Sequence, residues 1–197
     1  MRTRSALTAL AAASVLLLSA CGGGDEEPSA EPTPSAEETT AEPTEEPAGE
    51  QQELEVDETI TDDVMGHTIT VMKLIRDFDA PDNRNIPERG GEWVLVEVDT
   101  QAGDKFSGGI QGGFRLVDAD GNLAGPATTI LDNAMAEAGL TPWEGVSAGE
   151  QGTGWIAFQV NNRSDAYQLE YKRGAASVIG SDEQIDEQIW TVDLPTA

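Results

Sequence analysis

The chain has 197 residues and a formal net charge of −26, with 37 Asp and Glu against 11 Lys and Arg. A nucleic-acid partner is not expected, because binding to phosphates needs a basic face. The single cysteine rules out an intrachain disulfide, so the folded part of the chain depends on its hydrophobic core.

The first twenty residues have the pattern of an export signal. Arg2 and Arg4 form a short positive region, and residues 6–18 form an apolar stretch. A basic start followed by a short apolar stretch is typical of secretory signal peptides. The stretch is too short to cross a bilayer comfortably, since a spanning helix needs about 20 apolar residues. We therefore predict a signal peptide at residues 1–20.

The residues around the only cysteine indicate which kind of exported protein this is. Leu18-Ser19-Ala20-Cys21 resembles the lipobox of bacterial lipoproteins. The resemblance implies cleavage before Cys21 and a diacylglyceryl thioether on its sulfur. Two acyl chains suffice for stable anchoring, since each buried CH₂ contributes about 0.8 kcal/mol. We expect the protein on the extracytoplasmic face of the cell membrane, with the lipid on Cys21 as its sole membrane contact. The alternative is an ordinary signal peptide followed by a chance cysteine.

The composition of residues 21–58 predicts a disordered tether. Fourteen acidic and no basic residues lie between Asp25 and Glu58, mixed with Pro, Ser, Thr and Ala. Such a stretch has too little apolar area to offset the entropy cost of ordering. Extended at about 3.1 Å per residue, it would reach on the order of 100 Å. We interpret it as a spacer, and a partner-binding tail is the alternative.

Residues 59–197 mix apolar, polar and turn residues as one folded domain does. Apolar and polar side chains alternate in several short segments, which is the period of a β-strand. The predicted strands are Leu54–Ile60, His67–Ile75, Glu92–Thr100, Phe114–Val117, Trp155–Val160, Tyr167–Tyr171 and Ile189–Leu194.

Turn and helix signals between these strands complete the predicted fold. Asp120-Gly121 lies in the stretch Asp118–Asn122 and predicts a hairpin turn. Asp132–Ala138 can form a short helix that Gly139 ends. Short strands joined by turns favour an all-β sandwich of about seven strands.

Four segments of the predicted domain carry recognisable motifs: Gly66–Val71, Gly91–Val98, Phe114–Asn122 and Ser147–Phe158. Together they resemble the DUF4352 family. The resemblance implies an immunoglobulin-like β-sandwich of the kind found on bacterial lipoproteins, and it carries no catalytic residues. One feature of the family, an Asn-containing turn after the long strand, is missing at 99–103. Phe114–Asn122 contains an Asp-x-x-Gly hairpin, and Ser147–Phe158 contains a Gly-x-x-x-x-Gly entry to a core strand.

The single histidine and one acidic turn are the candidates for metal chemistry. His67 has no second histidine with which to form a zinc site, so we predict an ordinary surface residue. The stretch Asp118–Asn122 resembles the start of a calcium loop, but Thr129 stands where an EF-hand has its Glu. A β-turn is the main interpretation, and weak calcium binding is the alternative.

Four tryptophans are the candidates for an aromatic binding platform. Trp93 and Trp155 lie in apolar strands, which predicts a core position. Trp143 lies in a loop and is the best candidate for an exposed contact, although a loop Trp can also fold back onto the sheet.

These observations favour a non-enzymatic binding or accessory module at the cell surface. Its partner would be another envelope protein or a small ligand. We predict no catalytic residue, no metal ligand and no cofactor. The alternatives are an envelope hydrolase that uses paired carboxylates and a calcium-stabilised structural module.

Overall fold

A computed structural model describes residues 51–196 of the chain. The predicted signal peptide, most of the predicted tether and Cys21 lie outside this range. Within it, no helix is both long and apolar enough to cross a membrane. The strands are β1 (Glu53–Asp62), β2 (His67–Ile75), β3 (Glu92–Gln101), β4 (Phe114–Asp118), β5 (Leu123–Thr128), β6 (Gln151–Val160), β7 (Tyr167–Arg173), β8 (Ala176–Ser177), β9 (Gln184–Ile185) and β10 (Gln188–Asp193); the helices are α1 (Asp132–Glu137) and two 3-10 turns, Pro81–Asn83 and Pro87–Arg89.

Eight strands form one antiparallel sheet in the order β1-β2-β3-β6-β5-β4-β7-β10, and β8 pairs with β9 in a separate hairpin. The sheet folds into two layers: the first is β1-β2-β3-β6 and the second is β4-β7-β10. β5 links them, because residues 123–126 pair with β4 whereas residues 127–128 pair with β6. The prediction of an all-β sandwich is confirmed. The strand count is higher than the predicted seven, since β5 and the short β8–β9 hairpin have weak alternation.

The main core lies between the two layers. Alternate residues of each strand face inward, as the two-residue period of a strand requires. On β3 these are Val94, Val96 and Val98, and on β7 they are Leu169 and Tyr171, all almost fully buried. The alternation that predicts the strands therefore also gives the inner face of the sandwich.

A second core covers the outer face of β3 and β6. Trp93, Leu95 and Trp155 lie there, beneath the 76–91 segment and α1, which contributes Met135. Trp93 Nε1 donates a hydrogen bond to the carbonyl oxygen of Asn83 at 3.0 Å, which satisfies its one polar group. The predicted core position of Trp93 and Trp155 is confirmed. β3 is buried on both faces, which is why its sequence is a nearly continuous apolar run.

The ordered domain begins before the predicted boundary at Thr59. β1 starts at Glu53 and pairs with β2 from its first residue. Leu54 and Val56 pack against the main core although acidic residues surround them. The last residues assigned to the tether therefore belong to the sheet, because strand alternation outweighs acidic composition there.

The predicted short helix is confirmed as α1. Gly139 follows it with φ of +80°, a left-handed conformation that glycine adopts without steric cost. The amide of Gly139 donates to the carbonyl oxygen of Ala136 at 3.1 Å. This geometry is a usual way to end a helix.

Candidate functional site

One buried polar cluster joins the end of β2 to the starts of β3 and β7. We name it the Glu92 cluster; its members are Arg76, Glu92 and Tyr167. Glu92 is fully buried, at 0 % exposure. Arg76 Nε donates to Glu92 Oε2 at 3.0 Å, and Arg76 Nη2 donates to Glu92 Oε1 at 2.6 Å. Arg76 also donates to the backbone oxygens of Ser164 and Asp165, so the pair ties the β6–β7 loop to the first layer.

Tyr167 completes the Glu92 cluster. Its hydroxyl donates to Glu92 Oε1 at 2.6 Å and accepts the amide N–H of Ser164 at 2.8 Å. Burial, together with the hydrogen bond to Glu92, raises the pKa of Tyr167 to about 12. The phenol therefore keeps its proton at neutral pH and acts as a donor rather than a base. Both carboxylate oxygens of Glu92 are engaged inside the domain, which is the arrangement of a structural clamp.

A second buried cluster lies at the opposite ends of β2 and β7. We name it the Asp62 cluster; its members are Asp62, His67 and Arg173. Arg173 donates to Asp62 Oδ1 and, at 2.9 Å, to the carbonyl oxygen of Asp186. The same Oδ1 accepts the amides of Val64 and Met65 in the β1–β2 turn. Asp62 Oδ2 and Arg173 Nε are buried without a hydrogen-bond partner.

His67 is buried, so the prediction of a surface histidine is wrong. Its exposure is 2 %, and its Nδ1 accepts the amide N–H of Gly103 at 2.9 Å. The neutral ring therefore carries its proton on Nε2. Burial lowers the pKa of His67; the nearby Asp62 opposes this shift and Arg173 adds to it.

A signal for the Asp62 cluster exists in the strand period. His67 has the same parity as the inward-facing Ile69 and Val71 on β2, and Arg173 the same parity as Leu169 and Tyr171 on β7. Alternation thus places both polar side chains on the inner face. Nothing in the sequence indicates which acid each one meets, because the partners are far apart along the chain.

An open concavity on the surface is built around Trp143. This Trp143 hollow, of about 650 Å³, lies between a loop and the start of β6. The amide of Trp143 donates to Trp155 O at 2.9 Å, and the amide of Trp155 donates to Thr141 O at 2.8 Å. The lining residues are Thr141, Pro142, Trp143, Glu144, Gly145, Val146, Glu150, Gln151, Gly152 and Thr153.

Trp143 folds back onto the sheet, which is the second of the two predicted outcomes. Its ring meets Phe114 edge-on, with centroids 5.3 Å apart. Its Nε1 donates to Thr100 Oγ1 at 3.0 Å, and that hydroxyl donates to Gly152 O at 2.9 Å. The side chain is half-buried, so it anchors the hollow and also contributes to its wall.

Two glycines of β6 allow the loop to lie flat against the strand. A Cβ on Gly154 would sit 2.8 Å from the Cα of Trp143, and a Cβ on Gly152 would sit 2.8 Å from Val146 Cγ1. Real side chains do not tolerate such distances. Gly152 and Gly154, which lie within the Ser147–Phe158 motif, thus have a local reason, which is the close approach of the 141–146 loop.

The Trp143 hollow is acidic, and polar and apolar groups share its surface about equally. Glu144 and Glu150 line it, and no lining residue is a cation. Glu150 Oε2 accepts the amide of Ser147 at 3.0 Å, which fixes one carboxylate oxygen. Burial and the charge of Glu144 raise the pKa of the nearby Asp132. A hollow of this character suits uncharged polar groups or cations and repels anions.

The Asp118–Asn122 stretch is a β-turn, as predicted. Asp118 Oδ1 accepts the amides of Asp120 at 3.0 Å and Asn122 at 2.8 Å. The hydrogen bond from the Asn122 amide is the main cause of the lowered pKa of Asp118. Over residues 51–196, no three His, Cys, Asp or Glu side chains are grouped as metal ligands.

This geometry defines an antiparallel β-sandwich domain with internal ion-pair clamps and acidic surface concavities. The chain belongs to the DUF4352 family, whose model, described as a domain of unknown function, matches residues 47–183. Comparisons with curated proteins and with solved structures gave no match. The predicted family is thus confirmed, and its matched range contains the Trp143 hollow.

Proposed function

We propose that this protein is a lipid-anchored lipoprotein of the bacterial cell surface whose β-sandwich is a non-catalytic binding module. Its partner is another envelope component, either a protein or a small ligand. The leader and the lipobox-like residues before Cys21 support the location. The acidic stretch before β1 supports a spacer that holds the domain away from the membrane.

The Trp143 hollow is the observation that carries the binding role. Its volume of about 650 Å³ is within the roughly 300–1,000 Å³ that ligand pockets occupy. Its walls are held by backbone hydrogen bonds and by the tight Gly152 and Gly154 contacts. A wall fixed before binding loses little conformational entropy when a partner arrives.

The buried ionisable side chains support a non-catalytic role. Glu92 and Asp62 each face an arginine inside the domain rather than a cleft. The hydroxyl of Tyr167 is likewise engaged with Glu92. These groups hold the two layers together, which leaves the surface concavities for recognition.

The anchor is tested with the Cys21→Ala variant. Without the sulfur that takes the lipid, the protein should move from the membrane fraction to the soluble fraction, because the acyl chains supply the membrane attachment. Immunoblotting of the two fractions measures this. Replacement of another small leader residue, Ser14→Ala, is the control and should leave the protein in the membrane. Retention of Cys21→Ala in the membrane would disprove lipid anchoring.

The binding role is tested with the soluble Cys21→Ala chain as bait for solubilised envelope components. Thr153→Arg places a long cationic side chain in the Trp143 hollow. It should abolish capture of the component that the parent chain binds, because the side chain fills the space. Ser177→Arg adds the same charge on the exposed β8 strand and should leave capture unchanged. Equal capture by both variants, or no capture by the parent chain, would contradict the proposal.

A further inference from the structure

The two outermost strands of the sheet lie beside each other without being joined. β1 and β10 stand at opposite ends of the sheet order. Over residues 51–196, no backbone hydrogen bond connects them. A cavity of about 310 Å³ separates residues 58–61 of β1 from residues 190–193 of β10. We call this gap the β1–β10 seam; it shares no residue with the Trp143 hollow.

β10 is the more receptive of these two edges. β1 carries a bulge between Glu55 and Glu58, and Asp57 has φ of +56°. Bulges and charged side chains protect edge strands from adding another strand. β10 instead pairs with β7 over six residues without any register shift. Its outer row of backbone groups is therefore straight and regular.

The direction of the free amides on β10 follows from its neighbour. The amide of Leu194 donates to the carbonyl oxygen of Tyr167, at the start of β7. Amides alternate in direction along an antiparallel strand, so those of Ile189, Thr191 and Asp193 point away from β7. These three N–H groups face the side on which a further strand would pair.

The charge of the seam selects its occupant. Glu58 and Asp193 both line the cavity, and neither forms a salt bridge within the described part of the chain. The nearest basic residues on β7 are already engaged: Lys172 pairs with Glu187 at 2.7 Å, and Arg173 pairs with Asp62. The hydroxyls of Thr59, Thr61 and Thr191 complete a polar, acidic rim.

We propose that the outer edge of β10 accepts an extended, lysine- or arginine-bearing segment of a partner protein as an added strand. Backbone hydrogen bonds to β10 supply the affinity, and Glu58 and Asp193 select for positive side chains. The chain's own segment before β1 does not fit, since ten acidic and no basic residues lie between Asp25 and Gln52. A second copy, also at −26, is repelled in the same way.

The test uses the full Cys21→Ala chain and three capped six-residue peptides. The first alternates lysine with valine or threonine, the second is the same peptide N-methylated at alternate amides, and the third has glutamate in place of lysine. Calorimetric titration should show binding of the first, with the other two at least about tenfold weaker. Hydrogen exchange should slow at the amides of Ile189, Thr191 and Asp193 in the complex.

Variants of the protein locate the site. Thr191→Pro removes one outward N–H, which an edge strand tolerates, and should weaken the first peptide at least about tenfold. Thr191→Val retains the N–H and should bind normally, as should the hollow variant Thr153→Arg. If Thr191→Pro fails to fold, Asp193→Lys tests the same site. Reversal of the charge should weaken the first peptide, because Asp193 selects for positive side chains.

Four outcomes would overturn the proposal. These are equal binding of the N-methylated peptide, equal binding of the glutamate peptide, exchange protection outside β10, and self-association of the chain in sedimentation. The first would indicate charge attraction without strand pairing. The last would assign the edge to a second copy.

Discussion

The Glu92 and Asp62 clusters are built from the same parts and differ in how completely those parts are satisfied. Each places a buried arginine against a buried carboxylate at one end of β2 and β7. In the Glu92 cluster both carboxylate oxygens accept hydrogen bonds, and the guanidinium also reaches two loop carbonyls. In the Asp62 cluster one oxygen and one nitrogen have no partner.

This difference predicts a strong end and a weak end of the sandwich. A buried ion pair stabilises a fold when its geometry is good and its remaining hydrogen-bonding capacity is used. Arg76 and Glu92 meet that condition, with the phenol of Tyr167 as the additional donor. Asp62 and Arg173 meet it only in part, and their neighbour His67 is a buried group that can take up a proton.

The largest expected effect is that of Glu92→Gln. The change removes the negative charge and leaves Arg76 buried without a counterion, which should lower the free energy of unfolding by about 3–5 kcal/mol. Urea denaturation at pH 7 measures the loss. Asp77→Asn is the matched control, because Asp77 pairs with Arg163 at the surface and its loss should cost at most about 1 kcal/mol.

A Glu92→Gln chain as stable as Asp77→Asn would contradict the comparison. It would mean that the cluster owes its stability to packing around Arg76 rather than to the ion pair. Glu92→Leu separates the two explanations further, since Leu fills a similar volume with apolar atoms but leaves the same buried cation. If packing is what matters, this variant should be stable as well.

The next effect concerns the Asp62 cluster. Arg173→Met should lower the free energy of unfolding by about 2–3 kcal/mol, less than Glu92→Gln, because Asp62 keeps the amides of Val64 and Met65 as donors. Asp62→Asn combined with Arg173→Met should cost less than Arg173→Met alone, since no buried charge then remains. A double-mutant cycle in urea measures this coupling.

Lys172→Met is the control for that cycle. Lys172 is the neighbour of Arg173 on β7 and pairs with Glu187 at the surface. Its replacement should cost at most about 1 kcal/mol. Additive costs of Asp62→Asn and Arg173→Met would show that the buried pair is not coupled.

The fold was accessible from the sequence because it depends on local periodicity. Alternation predicts most of the main strands, including Glu92–Thr100, which forms β3. The short helix was predicted from its composition and from Gly139. Turn chemistry predicted the Asp118–Asn122 hairpin. Each of these signals lies within about ten residues of chain.

The two clusters and the Trp143 hollow depend on contacts that local periodicity does not encode. Arg76 and Glu92 are 16 residues apart, and Asp62 and Arg173 are 111 residues apart. With 37 acidic residues in the chain, sequence alone offers no way to select these two. The hollow likewise requires the 141–146 loop to lie along β6, which becomes apparent only when the strands are placed side by side.

The smallest effect is a pH dependence at the weak end. Burial lowers the pKa of His67 in the folded state below the ordinary value near 6.5. Between those two pKa values the unfolded chain binds a proton that the folded chain does not. The stability that neutral His67 contributes is therefore present above pH 6.5 and is lost as the pH falls through the lowered pKa. The slope is at most about 1.4 kcal/mol per pH unit.

The His67→Gln variant isolates this contribution. Gln offers an oxygen that can accept the Gly103 amide but does not titrate, so its stability should change less between pH 7 and pH 5. The charges that face His67 are Asp62 and Arg173, which are unchanged in the variant. Stability is measured by urea denaturation at each pH for the parent chain and for the variant. The difference between the two curves removes the contribution of the domain's carboxylates, which both chains share. Parallel curves would mean that protonated His67 is accommodated without loss, and the Asp62 cluster would then be as robust as the Glu92 cluster.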